Sequence, residues 1–201
     1  TVNTLPLPTL TGPSVACAAT TGHVYTTEAG NSNYTWTVSA GGTITAGGTA
    51  TSNTVTVTWN TAGAQTVSVN YSNANSCSDP SATVYNVTVN TFTVPVITGP
   101  NAVCAATTGN IYATQAGNSN YTWTVSAGGS ITSGGTTTEN TDTVTWNTTG
   151  PQTVSVNYTN AGLCSAPSPT VYNVTGNTLP LPTLTGPSVA CAATTGHVYT
   201  T

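Results

Sequence analysis

The 201-residue chain contains no lysine, no arginine and no methionine. Its acids are Glu28, Asp79, Glu139 and Asp142, and its histidines are His23 and His197. Charged residues make up 2% of the chain, against about a quarter in an ordinary soluble domain. Without cations there are none of the phosphate contacts that dominate nucleic-acid binding, and no basic patch for anionic lipid. No apolar run has the length of a membrane span, and no signal-peptide pattern is present. These absences exclude nucleic acid as a partner and direct membrane insertion. Disorder usually combines high charge with few aromatics. Here charge is nearly absent and Val, Tyr and Trp recur at regular places, so the chain is expected to fold.

What is present is repetition. Thr4–Thr27 recurs letter for letter as Thr178–Thr201, 174 positions on. A diverged copy lies between them, because the Thr-Gly-Pro at 11–13 returns at 98–100 and at 185–187, which makes the unit 87 residues. Such a period signals a string of similar modules. The expected organisation is one domain over 1–90, a second over 91–177, and the opening strands of a third over 178–201. The chain then reads as a window on a longer tandem array.

Each unit alternates with period 2. Tyr34, Trp36 and Val38 share one strand face, as do Val55, Val57 and Trp59, then Val67, Val69 and Tyr71, and Tyr85, Val87 and Val89. Thr, Ser and Asn take the other faces. Gly pairs and Asn/Pro-rich stretches punctuate the runs, and no stretch shows a capped 3.6-residue period. The fold class is therefore all-β, with about seven short strands per unit in an antiparallel immunoglobulin-like sandwich. The expected core holds Trp36, Trp59, Trp123 and Trp146, with Val38, Val57, Val69, Val87, Val125, Val144, Val156 and Val174.

The five cysteines follow the repeat. Cys17 and Cys77 are 60 apart, as are Cys104 and Cys164, and each pair lies inside one unit. Cys191 is the counterpart of Cys17, and its equivalent partner lies past the last residue. Zinc would need four closely spaced ligands, and a unit offers two cysteines and at most one histidine. The expectation is thus Cys17–Cys77 and Cys104–Cys164 disulfides, an extracytoplasmic location, and a partner for Cys191 outside the chain.

Tyr34-Thr-Trp36, Val57-Thr-Trp-Asn-Thr-Ala-Gly63, Thr66-Val-Ser-Val69 and Asn75-Ser-Cys77 resemble the PKD-like (polycystic-kidney-disease-like) repeat across both complete units. The resemblance implies very large cell-surface proteins such as the adhesins of gliding bacteria. One departure is that Val38-Ser-Ala-Gly-Gly42 stands where that family carries an acidic stretch, which removes the carboxylates of a calcium site. Asp142-Thr-Val144 resembles the O-glycosylation motif of the same bacterial group, with Thr143 as acceptor.

No catalytic constellation is visible. Between units Glu28 becomes Gln115, Asp79 becomes Ala166, Glu139 replaces Ser52, Asp142 replaces Val55, and His23 becomes Asn110. A function exercised by every unit cannot depend on them, so they read as scattered surface residues, with no enzyme and no cofactor expected. Seven N-glycosylation sequons occur, at Asn33, Asn70, Asn86, Asn120, Asn147, Asn157 and Asn173, and those on strands have outward parity.

Two functional readings remain. The first is a structural segment of an extracellular filament or stalk at the cell surface, with neighbouring repeats as partners, end to end and side by side. The second is an adhesive module that binds surface glycans through exposed aromatics, drawn from Tyr25/Tyr112, Tyr34/Tyr121, Trp36/Trp123, Trp59/Trp146, Tyr71/Tyr158 and Tyr85/Tyr172. Short joints at Asn90–Val94 and Asn177–Leu181 favour an extended rod, advancing roughly 35–45 Å per unit with strands at 3.3 Å per residue.

Overall fold

The alternating runs become strands in the computed structural model, which describes residues 2–201. The first unit contains β1 (Val15–Cys17), β2 (Thr20–Thr26), β3 (Ser32–Val38), β4 (Gly42–Gly47), β5 (Thr54–Trp59), β6 (Gly63–Ser72) and β7 (Thr83–Asn90). The second contains β8 (Ala102–Cys104), β9 (Thr107–Ala113), β10 (Ser119–Val125), β11 (Gly129–Gly134), β12 (Thr141–Trp146), β13 (Gly150–Thr159) and β14 (Thr170–Asn177). In each unit a four-stranded sheet faces a three-stranded one, ordered β1-β7-β6-β3 against β2-β5-β4, and β8-β14-β13-β10 against β9-β12-β11.

The two inner faces make one core per unit. Val55, Val57 and Trp59 of β5 are fully buried and meet Val67, Val69, Val87 and Val89 from the opposite sheet. The second core repeats this with Val144, Trp146, Val154, Val156 and Val174, and no residue belongs to both. All four tryptophans are buried, as alternation predicted, whereas Val38 and Val125 are only partly covered, at the core margin. Trp59 fits because residue 42 is glycine: a Cβ there would lie 2.7 Å from the indole. The buried tips of Tyr25, Trp36 and Trp59 are satisfied, whereas the buried hydroxyls of Thr58 and Tyr158 have no partner. Trp59 Nε1 donates to Tyr25 Oη at 3.1 Å, Tyr25 Oη donates to the Pro13 carbonyl, and Trp36 Nε1 donates to the Ser52 carbonyl.

One pairing departs from the antiparallel expectation. β1 runs parallel to β7, with Cys17 opposite Asn90, and β8 runs parallel to β14, with Cys104 opposite Asn177. A three-residue strand too short for a period-2 signal carries this contact, so alternation could not reveal it. It brings Cys17 to the end of the sandwich where the chain leaves for the second unit.

Thr178–Thr201 differs from expectation. It repeats the local contacts of Thr4–Thr27, with a Thr185–Thr200 bridge and a Tyr199 hydroxyl donating to the Pro187 carbonyl, yet it forms no strand and is exposed throughout. In the first unit the same letters become β1 and β2 because β7 and β5 pair with them. Among the described residues no strand pairs with Thr178–Thr201 in that way.

Candidate functional site at the joint

The two sandwiches meet where β7 ends. There Cys17, at the end of β1, lies beside Asn90, and the β13–β14 connection of the second unit reaches back with Asn160–Cys164. Cys17 and Cys164 form a disulfide with Cα atoms 5.7 Å apart. Asn90 Nδ2 donates to the Gly162 carbonyl at 2.9 Å, across the joint. Asn160 Nδ2 donates to the Thr91 carbonyl at 2.8 Å, which fixes the connecting segment to the same loop. Asn160 Oδ1 accepts from the backbone amides of Gly162 (2.9 Å) and Cys164 (3.1 Å), and so shapes the loop that presents Cys164. Cys164 is 1% exposed, sealed by the neighbouring domain.

This pairing replaces the expected Cys17–Cys77 and Cys104–Cys164 bonds. Cys77, Cys104 and Cys191 are free thiols. The reason is the direction of β7. Cys17 pairs with Asn90 at its last residue, whereas Cys77 lies in the connection that enters β7 at Thr83. Eight residues of strand at 3.3 Å each put roughly 26 Å between those ends, and a disulfide tolerates no more than about 7 Å between Cα atoms. The two cysteines of one unit sit at opposite ends of its sandwich. The nearest partner for Cys17 is therefore the equivalent of Cys77 in the next unit.

Cleavage without reduction checks this directly. The chain offers no tryptic site, so chymotrypsin after thiol alkylation is the route. A peptide linking Cys17 to Cys164 is expected, with alkyl groups on Cys77, Cys104 and Cys191. A Cys17–Cys77 peptide would overturn the assignment.

Two acids that looked like surface residues are built into the fold. Glu28 clasps the segment entering the first sandwich: it accepts from the Thr9 amide and hydroxyl, the Thr27 hydroxyl (2.7 Å) and the Tyr71 hydroxyl (3.1 Å). Partial burial raises its carboxyl, but these donors outweigh that and hold it down at about 2. The Tyr71 hydroxyl is pushed up to about 12 by desolvation and by that carboxylate. In the second unit Gln115 makes an equivalent clasp, accepting from the Val96 amide and the Thr114 hydroxyl. The role survives the change from Glu to Gln, and a comparison of charge alone hides it.

Asp142 is the other. It is fully buried on the inner face of β12, and neither carboxylate oxygen has a hydrogen-bond partner. Desolvation raises its carboxyl to about 6. The counterpart in the first unit is Val55, also fully buried. Of the others, Asp79 is half-buried, Glu139 accepts from the Thr136 hydroxyl at an exposed turn, His23 meets the Thr20 hydroxyl at 2.8 Å, and His197 does the same with Thr194.

The sequons divide by geometry. Asn86 and Asn173 project outward from exposed strand positions, and Asn33, Asn120 and Asn147 are exposed with long contacts to neighbouring hydroxyls. Asn70 and Asn157 are half-buried, and each side-chain amide donates to a backbone carbonyl, of Asp79 (2.8 Å) and Ala166 (2.9 Å). A glycan at either would break that bond, contrary to the outward-parity reading. Thr143 is half-buried on the central strand of its sheet, between β9 and β11.

The paired aromatics line the cores. Tyr25 and Tyr112 are fully buried, and Tyr85 and Tyr172 are half-buried with hydroxyls donating to the Gly12 and Gly99 carbonyls. Among the described residues no three of His, Cys, Asp and Glu converge on one point.

A family model described as PKD-like domain matches residues 4–87 and again 90–174. No curated protein sequence matches the chain. Among solved structures, the chain is similar to fibronectin(III)-like modules of Clostridium thermocellum CbhA, at 13% identity and a TM-score of 0.45, over 85% of this chain and 95% of that one. It is also similar to the D00-D0 domain of intimin, at 14% identity and a TM-score of 0.39, over 85% and 100%. The Escherichia coli adhesin FdeC matches at 15% identity and a TM-score of 0.38, over 84% and 64%.

Proposed function

We propose, from the premise that this chain belongs to the PKD-like domain family, that it is a structural repeat segment of an extracellular filament or stalk, part of a large adhesin-type protein at the cell surface. The observation that carries this reading is the joint. Successive sandwiches are linked by the backbone, by the Cys17–Cys164 disulfide and by the hydrogen bond from Asn90 to Gly162, while Asn160 anchors the second unit's loop to its own entry segment at Thr91. A connection fixed at several points resists bending and pulling, which a stalk requires and a freely hinged pair of binding modules does not. The disulfide suits an oxidising, extracytoplasmic setting. The uncharged Thr/Ser/Asn surface lacks the self-repulsion that keeps proteins apart, which suits side-by-side packing of filaments. The setting in gliding bacteria rests on the sequence resemblance alone.

Small-angle scattering tests the proposal. The oxidised chain should show a radius of gyration well above the value of about 17 Å for a single compact globule of 201 residues, and a C17S variant should scatter as a more flexible pair. A value near that of one globule, unchanged by C17S, would refute the stalk.

A further inference from the structure

We infer that the Cys17–Cys164 bond is one rung of a ladder. Cys104 is the waiting half of the next rung, and its partner is the cysteine at the Cys77 position of a unit-1-type domain stacked beyond the second sandwich. The inference rests on the stacked-array reading above and specifies how that array is cross-linked.

Both half-sites are preformed. Around Cys104 the backbone repeats the frame of Cys17: Ala105 N donates to the Asn177 carbonyl at 2.8 Å, as Ala18 N does to Asn90, and Ala106 N donates to the Trp146 carbonyl at 2.7 Å, as Ala19 N does to Trp59. Ala19 and Ala106 share a left-handed φ, 61° and 62°. Around Cys77 the loop repeats the frame of Cys164. Asn73 Oδ1 accepts from the amides of Asn75 (2.9 Å) and Cys77 (3.1 Å), as Asn160 Oδ1 does from Gly162 and Cys164. Ser76 and Leu163 share a left-handed φ, 58° and 61°. Asn73 Nδ2 also donates to the Thr4 carbonyl at 3.0 Å, the counterpart of the Asn160–Thr91 bond. Each free thiol is thus held as its bonded equivalent is held.

The sequence states which domain follows. Thr178–Thr201 is identical to Thr4–Thr27, so the unit after the second is of the first type. Its loop carries Asn75 where the second unit has Gly162. A Cβ at Gly162 would lie 3.0 Å from the Asn90 Cβ, so a unit-1-type loop facing Asn177 must stand off by a few tenths of an ångström. Close and slightly opened joints then alternate with the 174-residue period. Closing the rung removes one proton and one electron from each thiol. The electrons pass to a small-molecule or protein disulfide, which is reduced to two thiols.

The test is a chain carrying a copy of residues 28–90 after Thr201, oxidised in a glutathione buffer, alkylated and mapped without reduction. The appended cysteine should be found bonded to Cys104, with Cys77 and Cys191 alkylated. A bond from the appended cysteine to Cys191, inside its own unit, would overturn the ladder, as would full alkylation of Cys104. A second arrangement does not depend on folding of the appended unit. Chains ending at Asn177 keep every residue of both cores. Mixing their C77S and C104S forms should give a dimer joined through Cys104 and Cys77, and neither form alone should dimerise. No dimer in the mixture, or equal dimer in each form alone, counts against the ladder. Scattering of the oxidised product separates the two ideas: a closed rung in a chain that still bends freely would leave the ladder standing and sink the stalk.

Discussion

Replacing Trp59 with alanine is expected to destabilise the first sandwich by about 3–5 kcal/mol, a large share of the 5–15 kcal/mol that holds an ordinary domain together. Trp59 is fully buried and meets Tyr25 edge to face at 6.4 Å, and its indole nitrogen donates to the Tyr25 hydroxyl. Alanine leaves a cavity bounded by Gly42, which has no side chain to fill it. Because the two cores share no residue, the second sandwich serves as an internal reference. Denaturant unfolding of W59A should separate into two transitions, with that of the second unit unmoved. A single transition at the parent's midpoint would show that the assigned strand register is wrong.

Asp142→Val should stabilise the second sandwich, and by more at neutral pH than in acid. Val is what the first unit carries at the equivalent Val55, so the site has the shape to accept it. The sign follows from the raised carboxyl. Folding lifts Asp142 from 3.8 to about 6. Below pH 3.8 the group is neutral in both states and charge contributes no penalty. Between 3.8 and 6 the penalty grows, because the unfolded chain ionises and the folded one resists. Above 6 it is complete, at about 3 kcal/mol, since each tenfold change in acidity is worth about 1.4 kcal/mol. A neutral but unpartnered buried carboxyl still costs about 1–3 kcal/mol. The gain from D142V should therefore persist at pH 3.5 and exceed that value by about 3 kcal/mol at pH 7.5, read as the difference in unfolding free energy. An equal gain at both pH values would mean that Asp142 keeps its charge in the fold through a contact with water.

Most of the sandwich was legible because burial in a sheet writes a period-2 pattern. Val55, Val57 and Trp59 could face only one way once Thr56 and Thr58 were assigned to solvent, and all three are fully buried. Where the pattern is too short, the reading fails. β1 has three residues, and its parallel pairing with β7 leaves no periodic mark. The clasp made by Glu28 was hidden because Gln115 accepts the same kind of hydrogen bond without the charge, so comparing ionisable groups between units discarded it. Asp142 lay at a valine position of a core strand, and parity alone pointed inward. The expectation that acids lie on the surface outweighed that signal.

The cysteines separate what each level decides. By itself the sequence determined the period, the fold class, the core faces and the fact that the cysteines recur in two fixed places per unit. It could not choose their partners. The observed separation of 147 is the 60-residue spacing plus one 87-residue period, so pairing within a unit and pairing between units are equally consistent with the repeat. The choice is made in three dimensions. The parallel β1–β7 contact sends Cys17 to the exit end of its sandwich, and the β6–β7 connection holds Cys77 at the opposite end. With a strand length between them, the two thiols of one domain cannot touch, and Cys17 bonds to Cys164 of the neighbouring domain instead.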